Sequence, residues 1–190
     1  MPADDALWTA ATRHAFLDGV RDGTLPVAAL DTWLAQDALF VADLLAFQAR
    51  LLARAPRTDQ AVLAGGAVAL VEELDWFDRL AADRGLDLAA APLPATLAYR
   101  ELLLRLDAAP YPDALGCLEV VERVYLEAWR SALPGAPAYA ELVEHWTTPS
   151  FAAYVDGLAA AVERAGAPDE ALVAEVLRQE AAFWSMAVDA

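Results

Sequence analysis

Asp37, Glu122 and Glu180 sit where an apolar residue would be expected. On a wheel of 100° per residue, Phe40, Leu44 and Leu51 fall within about 20° of Trp33. Asp37 lies about 40° from the same tryptophan, between Leu44 and Val41, inside the stripe that should be core. Glu122 falls between Leu115 and Trp129 on the arc that also holds Cys117, Leu118, Val121, Tyr125 and Ala128. Glu180 sits among Val173, Val176, Phe183, Trp184 and Ala187. A carboxylate on such a face costs several kcal/mol unless it finds a partner. Burial also raises its pKa, which suits general acid or base chemistry near neutral pH.

The elements that must position these acids are helices. β-branched residues are few, and apolar/polar alternation never persists past four residues. Pro and Gly punctuate instead. "GTLPVAAL" (23–30) introduces the helix carrying Asp37, and "RAPRTD" (54–59) ends it, with Thr58 or Asp59 as the next N-cap. "RGLDLAAAPLPAT" (84–96) reads as a crossover, "AAPYPDA" (108–114) opens the helix of Glu122, and "GAPDE" (166–170) caps the helix of Glu180. "TTPSF" (147–151) opens another, with Pro149 early, where its missing N–H does no harm. Helix 59–81 places Glu73 and Asp78 on either flank of its stripe, and neither is given a role. The expected fold is all-α: one single-domain helical bundle over residues 1–190, with about seven or eight helices.

Composition narrows the function. The chain has 190 residues, is 58% hydrophobic and carries a formal charge of −16. Its 13 basic residues are scattered arginines, so neither a phosphate backbone nor an acidic membrane surface is an expected partner. No apolar run reaches the roughly 18 residues of a membrane span, and "MPADDALWTAATRH" lacks a basic leader. A soluble, cytoplasmic protein is expected. The single cysteine, Cys117, excludes an internal disulfide. His14 and His145 form no Glu-x-x-His motif, which speaks against haem, di-iron or any other metal centre. His14 reads as a helix-end hydrogen bonder, and His145 is assigned nothing.

A lone acid at a stripe's edge is ordinarily half-solvated or paired with arginine, and aromatics on a stripe are ordinarily core. Three such acids among stripes rich in Trp33, Phe40, Tyr99, Tyr125, Trp129, Trp146, Phe183 and Trp184 point instead to a small aromatic-walled cavity. A flat, nitrogen-rich ligand fits. An aminopyrimidine can meet a carboxyl group edge-on through its ring nitrogen and its exocyclic amine.

"RHAFLDGVRDGTLPVAALDTWLAQDALFVADL" (13–44) resembles the opening of the TenA/thiaminase II family, and "EAAFWSMA" (180–187) resembles that family's closing signature. "PATLAYRELL" (94–103) matches the place of a family tyrosine, and "WTTPSF" (146–151) a segment that usually begins with tyrosine. The resemblance implies a haem-oxygenase-like fold without haem, no cofactor, and hydrolysis at the methylene carbon attached to an aminopyrimidine ring, in thiamin salvage. It implies that Asp37 binds the amino edge of the ring, that Phe40 forms an aromatic wall, that Tyr99 orients the substrate, and that Glu180 moves the proton to or from the leaving amine. Tyr125 and Trp146 complete the expected substrate-binding set.

The centre of the chain departs from that family. Its usual nucleophile is a cysteine in a Leu-Pro-Cys context, with tyrosine four residues on. Here Cys117 follows Leu115-Gly116, and the residue four on is Val121. "VVERVYLEAW" and "EELDWFDRLAADRGLDL" look more like the branch that uses a glutamate instead. The third catalytic group is therefore Glu122 or Cys117, with Glu122 preferred and Cys117 otherwise ordinary core. The leading expectation is a cofactor-free aminopyrimidine hydrolase. The alternative is a non-catalytic heterocycle-binding or regulatory protein on the same fold, and a third reading is an oxygenase-like member with another substrate. The abundance of apolar helix faces suggests a homo-oligomer, and the resemblance implies a homodimer or homotetramer.

Overall fold

A computed structural model describes residues 5–187, and their regular elements are all helices. They are α1 (Asp5–Thr12), α2 (Ala15–Asp22), α3 (Val27–Arg54), α4 (Gln60–Arg84), α5 (Pro94–Ala108), α6 (Tyr111–Ser131), α7 (Ala140–His145), α8 (Pro149–Ala165) and α9 (Glu170–Ser185). The six long helices are α3, α4, α5, α6, α8 and α9. This is the all-α bundle expected from the sequence.

Local chemistry sets the ends. Pro26 precedes α3, and α3 stops at Arg54 because Ala55 stands before Pro56, which disfavours the helical region for it. α2 and α4 each end on a left-handed glycine, Gly23 at φ 76° and Gly85 at φ 71°. Thr148 caps α8 by accepting the Phe151 N–H, and Asp169 caps α9 by accepting from Ala171 and Leu172. His14 does what the sequence suggested: its Nδ1 accepts the Phe16 N–H at the start of α2. Asp59 precedes α4 but caps nothing, because its carboxylate is taken by Arg164 and Tyr111.

α3 lies against α4, α5 and α6, while α6 also packs on α8 and α9. Trp33, wholly buried, is the hub of the core. It stacks on Trp184 at 5.2 Å with the rings 6° from parallel, and meets Trp129, Trp146 and Phe183 edge-on. Large aromatics buried in this way each hold about 3–5 kcal/mol against truncation. Trp184 Nε1 also donates to the Ala11 carbonyl at 2.9 Å, tying α9 to α1. No helix among the described residues is long and apolar enough to cross a membrane.

Candidate functional site

The three acids of the apolar stripes are all buried, on α3, α6 and α9, and none has an arginine beside it. Asp37 is fully buried; its Oδ2 accepts from the Tyr125 hydroxyl at 2.8 Å, and its Oδ1 has no partner. Burial raises the Asp37 pKa well above the ordinary carboxyl value, the Tyr125 hydrogen bond works against that rise, and the charges of Glu73 and Glu180 add to it. Glu180, 4% exposed, accepts a short hydrogen bond from Tyr99. Burial lifts it to about 8 despite that bond. Glu122, 6% exposed, keeps its Oε1 unpartnered and is lifted to about 8 by burial and by the charges of Glu180 and Glu73. Asp37 and Glu122 therefore both feel the charge of Glu180 across the helix packing.

A cavity of about 770 Å³ opens between α3, α4, α6, the α7–α8 junction and α8. Phe40, Glu122, Tyr125 and Trp146 from the sequence-derived set line it. Asp37, Tyr99 and Glu180 do not line it. Asp37 lies behind Tyr125, held by the phenol, and Glu180 and Tyr99 lie behind Phe40, whose ring packs on Tyr99 at 4.5 Å and on Phe183 at 5.5 Å. Three glutamates thus line the cavity, Glu72, Glu73 and Glu122, while Asp37 and Glu180 sit one layer back.

Glu73 and His145, neither with a role expected from the sequence, meet at this cavity. Glu73 accepts from His145 Nε2 and from Trp146 Nε1, both at 2.7 Å, and lines the cavity. The His145 ring stacks on Trp76 at 4.0 Å, 11° from parallel, so these two rings form one wall. A signal existed: Leu63, Gly66, Leu70, Glu73 and Phe77 step along α4 by three and four, and every one but Glu73 is buried. Tyr154 and Phe151 from α8 also line the cavity. Tyr154 donates to Gln48 Oε1 at 3.2 Å, a bridge between helices 106 residues apart that no local pattern announces.

Cys117, one and a half turns before Glu122 on α6, is buried away from the cavity lining. Burial, with the acids Asp113, Asp169 and Glu175 around it, pushes its thiol to about 12. A thiol held there is protonated at neutral pH and is a poor nucleophile. Of these two candidates, Glu122 lines the cavity and Cys117 does not. Among the described residues, no three His, Cys, Asp or Glu side chains are grouped to hold a metal ion.

Chemically, the cavity has apolar and aromatic walls and one lining carboxyl group, Glu122, able to give or take a proton near pH 8, with Glu180 one layer behind. Such a site suits a flat ligand bearing hydrogen-bond donors, and proton transfer to or from it.

Known proteins resemble this chain over nearly its whole length. The model of the TENA/THI-4/PQQC family matches residues 2–190. The chain is 33% identical over 200 residues to a "probable bifunctional TENA-E protein" of Glycine max, covering 95% of this chain and 87% of that one. A TenA homologue from Pyrococcus furiosus superposes with a TM-score of 0.88 at 25% identity, covering 97% of this chain and 95% of that one. A putative TenA-like thiaminase from Sulfolobus solfataricus shares the fold at a TM-score of 0.84 and 17% identity, over 97% and 91% of the two chains.

Proposed function

This chain belongs to the TENA/THI-4/PQQC family, and we propose that its cavity hydrolyses an aminopyrimidine at the methylene carbon carrying an amine. Water replaces the amine, giving the hydroxymethylpyrimidine and ammonia. No cofactor takes part in the step.

The observation that supports this reading most is a pair of buried carboxyl oxygens without partners, Asp37 Oδ1 and Glu122 Oε1, on neighbouring helices beside one aromatic-walled cavity. A buried acceptor left unpaired costs about 1–3 kcal/mol, which a ligand carrying N–H groups recovers. In this reading Tyr125 and Phe40 move aside as the ligand enters and open Asp37 and Glu180 to it, and Asp37 offers its second oxygen to the amino edge of the ring. Phe40 and Trp146 flank the ring. Glu180, neutral when protonated and steered by Tyr99, gives its proton to the departing amine. Glu122, as carboxylate, takes a proton from the attacking water. The charge of Glu180 raises Glu122, so the two acids titrate in one range near pH 8, and the reaction uses the form with one proton on the pair.

The test is direct: incubate the purified protein with the aminomethylpyrimidine and follow the hydroxymethylpyrimidine by chromatography. Turnover that is lost in Glu180→Gln supports the proposal, and its absence from the wild-type protein overturns it. The alternative, a heterocycle-binding or regulatory protein, is favoured by Val121 standing where the family pattern has tyrosine. It predicts calorimetric binding without product. Exposed Val68 and Val71 on α4 support the expected homo-oligomer; light scattering showing only monomer would remove that expectation.

A further inference from the structure

Gln48, on α3, is completely buried, and its surroundings leave its amide one orientation. The Nε2 donates to the Leu63 carbonyl at 2.8 Å, and a carbonyl can only accept, so the Oε1 must face the other way. There it meets the Tyr154 hydroxyl, which is obliged to donate to it. Tyr154 thus spends its single proton on Gln48. Tyr154 lines the cavity, and any further hydrogen bond of its oxygen can only be accepted.

Gly66 makes this arrangement possible. A Cβ at that position would run into both the Gln48 amide nitrogen and the Tyr154 phenol. The glycine lies inside α4, where alanine is otherwise preferred by about 1 kcal/mol, so the space it leaves has a use. Glu122 also lines the cavity, with its Oε1 unpartnered, and its charge reaches the Tyr154 phenol.

A phenol oxygen that accepts only, next to a carboxylate that accepts only, can hold a molecule that has two protons to give and a lone pair to spare. Water is the smallest such molecule. We propose that Tyr154 and Glu122 together seat the water that attacks the methylene carbon, with Gln48 and Gly66 as the positioning residues that fix the phenol's direction. The proposal rests on the hydrolytic reading above and specifies its nucleophile. One water O–H points to Tyr154 and the other to Glu122, which leaves the oxygen lone pair directed at carbon. As the carbon–oxygen bond forms and the carbon–nitrogen bond breaks, the proton on the Glu122 side passes to that carboxylate. The amine leaves with the proton of Glu180. One proton is gained by Glu122 and one lost by Glu180, so charge and atoms balance. Tyr154 transfers nothing; its role is to aim the water.

Two variants test this. Tyr154→Phe removes the acceptor, and Gly66→Ala keeps the tyrosine but displaces it. With the aminomethylpyrimidine as substrate, both are expected to lower kcat about 10–100-fold while KM stays within about twofold, since misplacing a reactant by an ångström has effects of that size. Hydroxylamine, added as a competing nucleophile, should capture a larger share of product in both variants than in the wild-type protein, because the seat no longer favours water. A merely structural role would not change that partition. Thermal melts by circular dichroism identify a variant that has not folded, in which case the other one decides. Unchanged kcat, or an unchanged partition between water and hydroxylamine in a folded variant, overturns the inference. A wild-type protein without turnover removes the hydrolytic reading and this inference with it. Wild-type turnover with unaffected variants removes the water seat alone.

Discussion

Asp59 and Glu122 are both buried acids in the same bundle, and they are treated in opposite ways. Asp59 accepts from Arg164 Nη2 at 2.8 Å and from Tyr111 at 2.9 Å. Burial by itself would raise it, but the hydrogen bonds from Arg164 and Tyr111 outweigh that and hold it below the ordinary carboxyl value. It ties the start of α4 to α8 and α6, as a charged latch. Glu122 has no cation, an unpartnered oxygen and two acidic neighbours that raise it further. The chain has arginines to spend, and near the cavity it does not spend them on these acids. An acid that only held helices together would be expected to resemble Asp59.

The sharpest way to break that contrast is to neutralise each acid in turn. Glu122→Gln should lower kcat by about 10²–10⁴-fold, the range for loss of a general base, while leaving the melting temperature unchanged or slightly higher. A variant that keeps near-wild-type turnover would reduce Glu122 to a buried curiosity.

Stability against pH separates the two regions next. Glu122 and Glu180 titrate at about 8 in the folded protein, above their ordinary value of 4.5. Their stabilisation is complete below 4.5 and is lost as pH rises toward 8, on the order of a few kcal/mol across that window. Asp59 has the reverse sign: its contribution is present above its ordinary 3.8 and disappears as pH falls through its lower folded value. Melts between pH 5 and 9 should therefore decline with rising pH, and Glu122→Gln with Glu180→Gln should flatten the decline. A wild-type curve already flat over this range would contradict the raised values.

Asp59→Asn should give the complementary result. Loss of the latch is expected to cost about 2 kcal/mol, discounted because the Arg164 side chain is half exposed, and so lower the melting temperature by about 4–8 °C. Turnover per folded molecule should be unchanged. The smallest effect belongs to Cys117→Ala: about 1 kcal/mol for a small buried void and no change in kcat. A hundredfold loss of kcat there would return the central role to the cysteine.

The sequence exposed what lies within single helices. Asp37, Glu122 and Glu180 break an apolar period, and the fold follows from that period and from the Pro and Gly that interrupt it. Glu73 was readable too, but Gly66 and the small residues around it weaken the stripe that would have shown it as an intruder. What stayed hidden depends on pairing between helices. Nothing near Tyr154 tells that its proton goes to Gln48, and nothing near Cys117 tells that α6 turns it away from the cavity it shares a stripe with. The placement of Asp37 and Glu180 behind the lining is also a matter of packing order, which a wheel cannot rank.

The parallel indoles of Trp33 and Trp184 lie one helical turn from Asp37 on α3 and one turn from Glu180 on α9. Ring thickness at that stack therefore acts as a calliper for the gap separating those acids. A smaller side chain at Trp184 would change that spacing from the core side, without substituting any residue that lines the cavity.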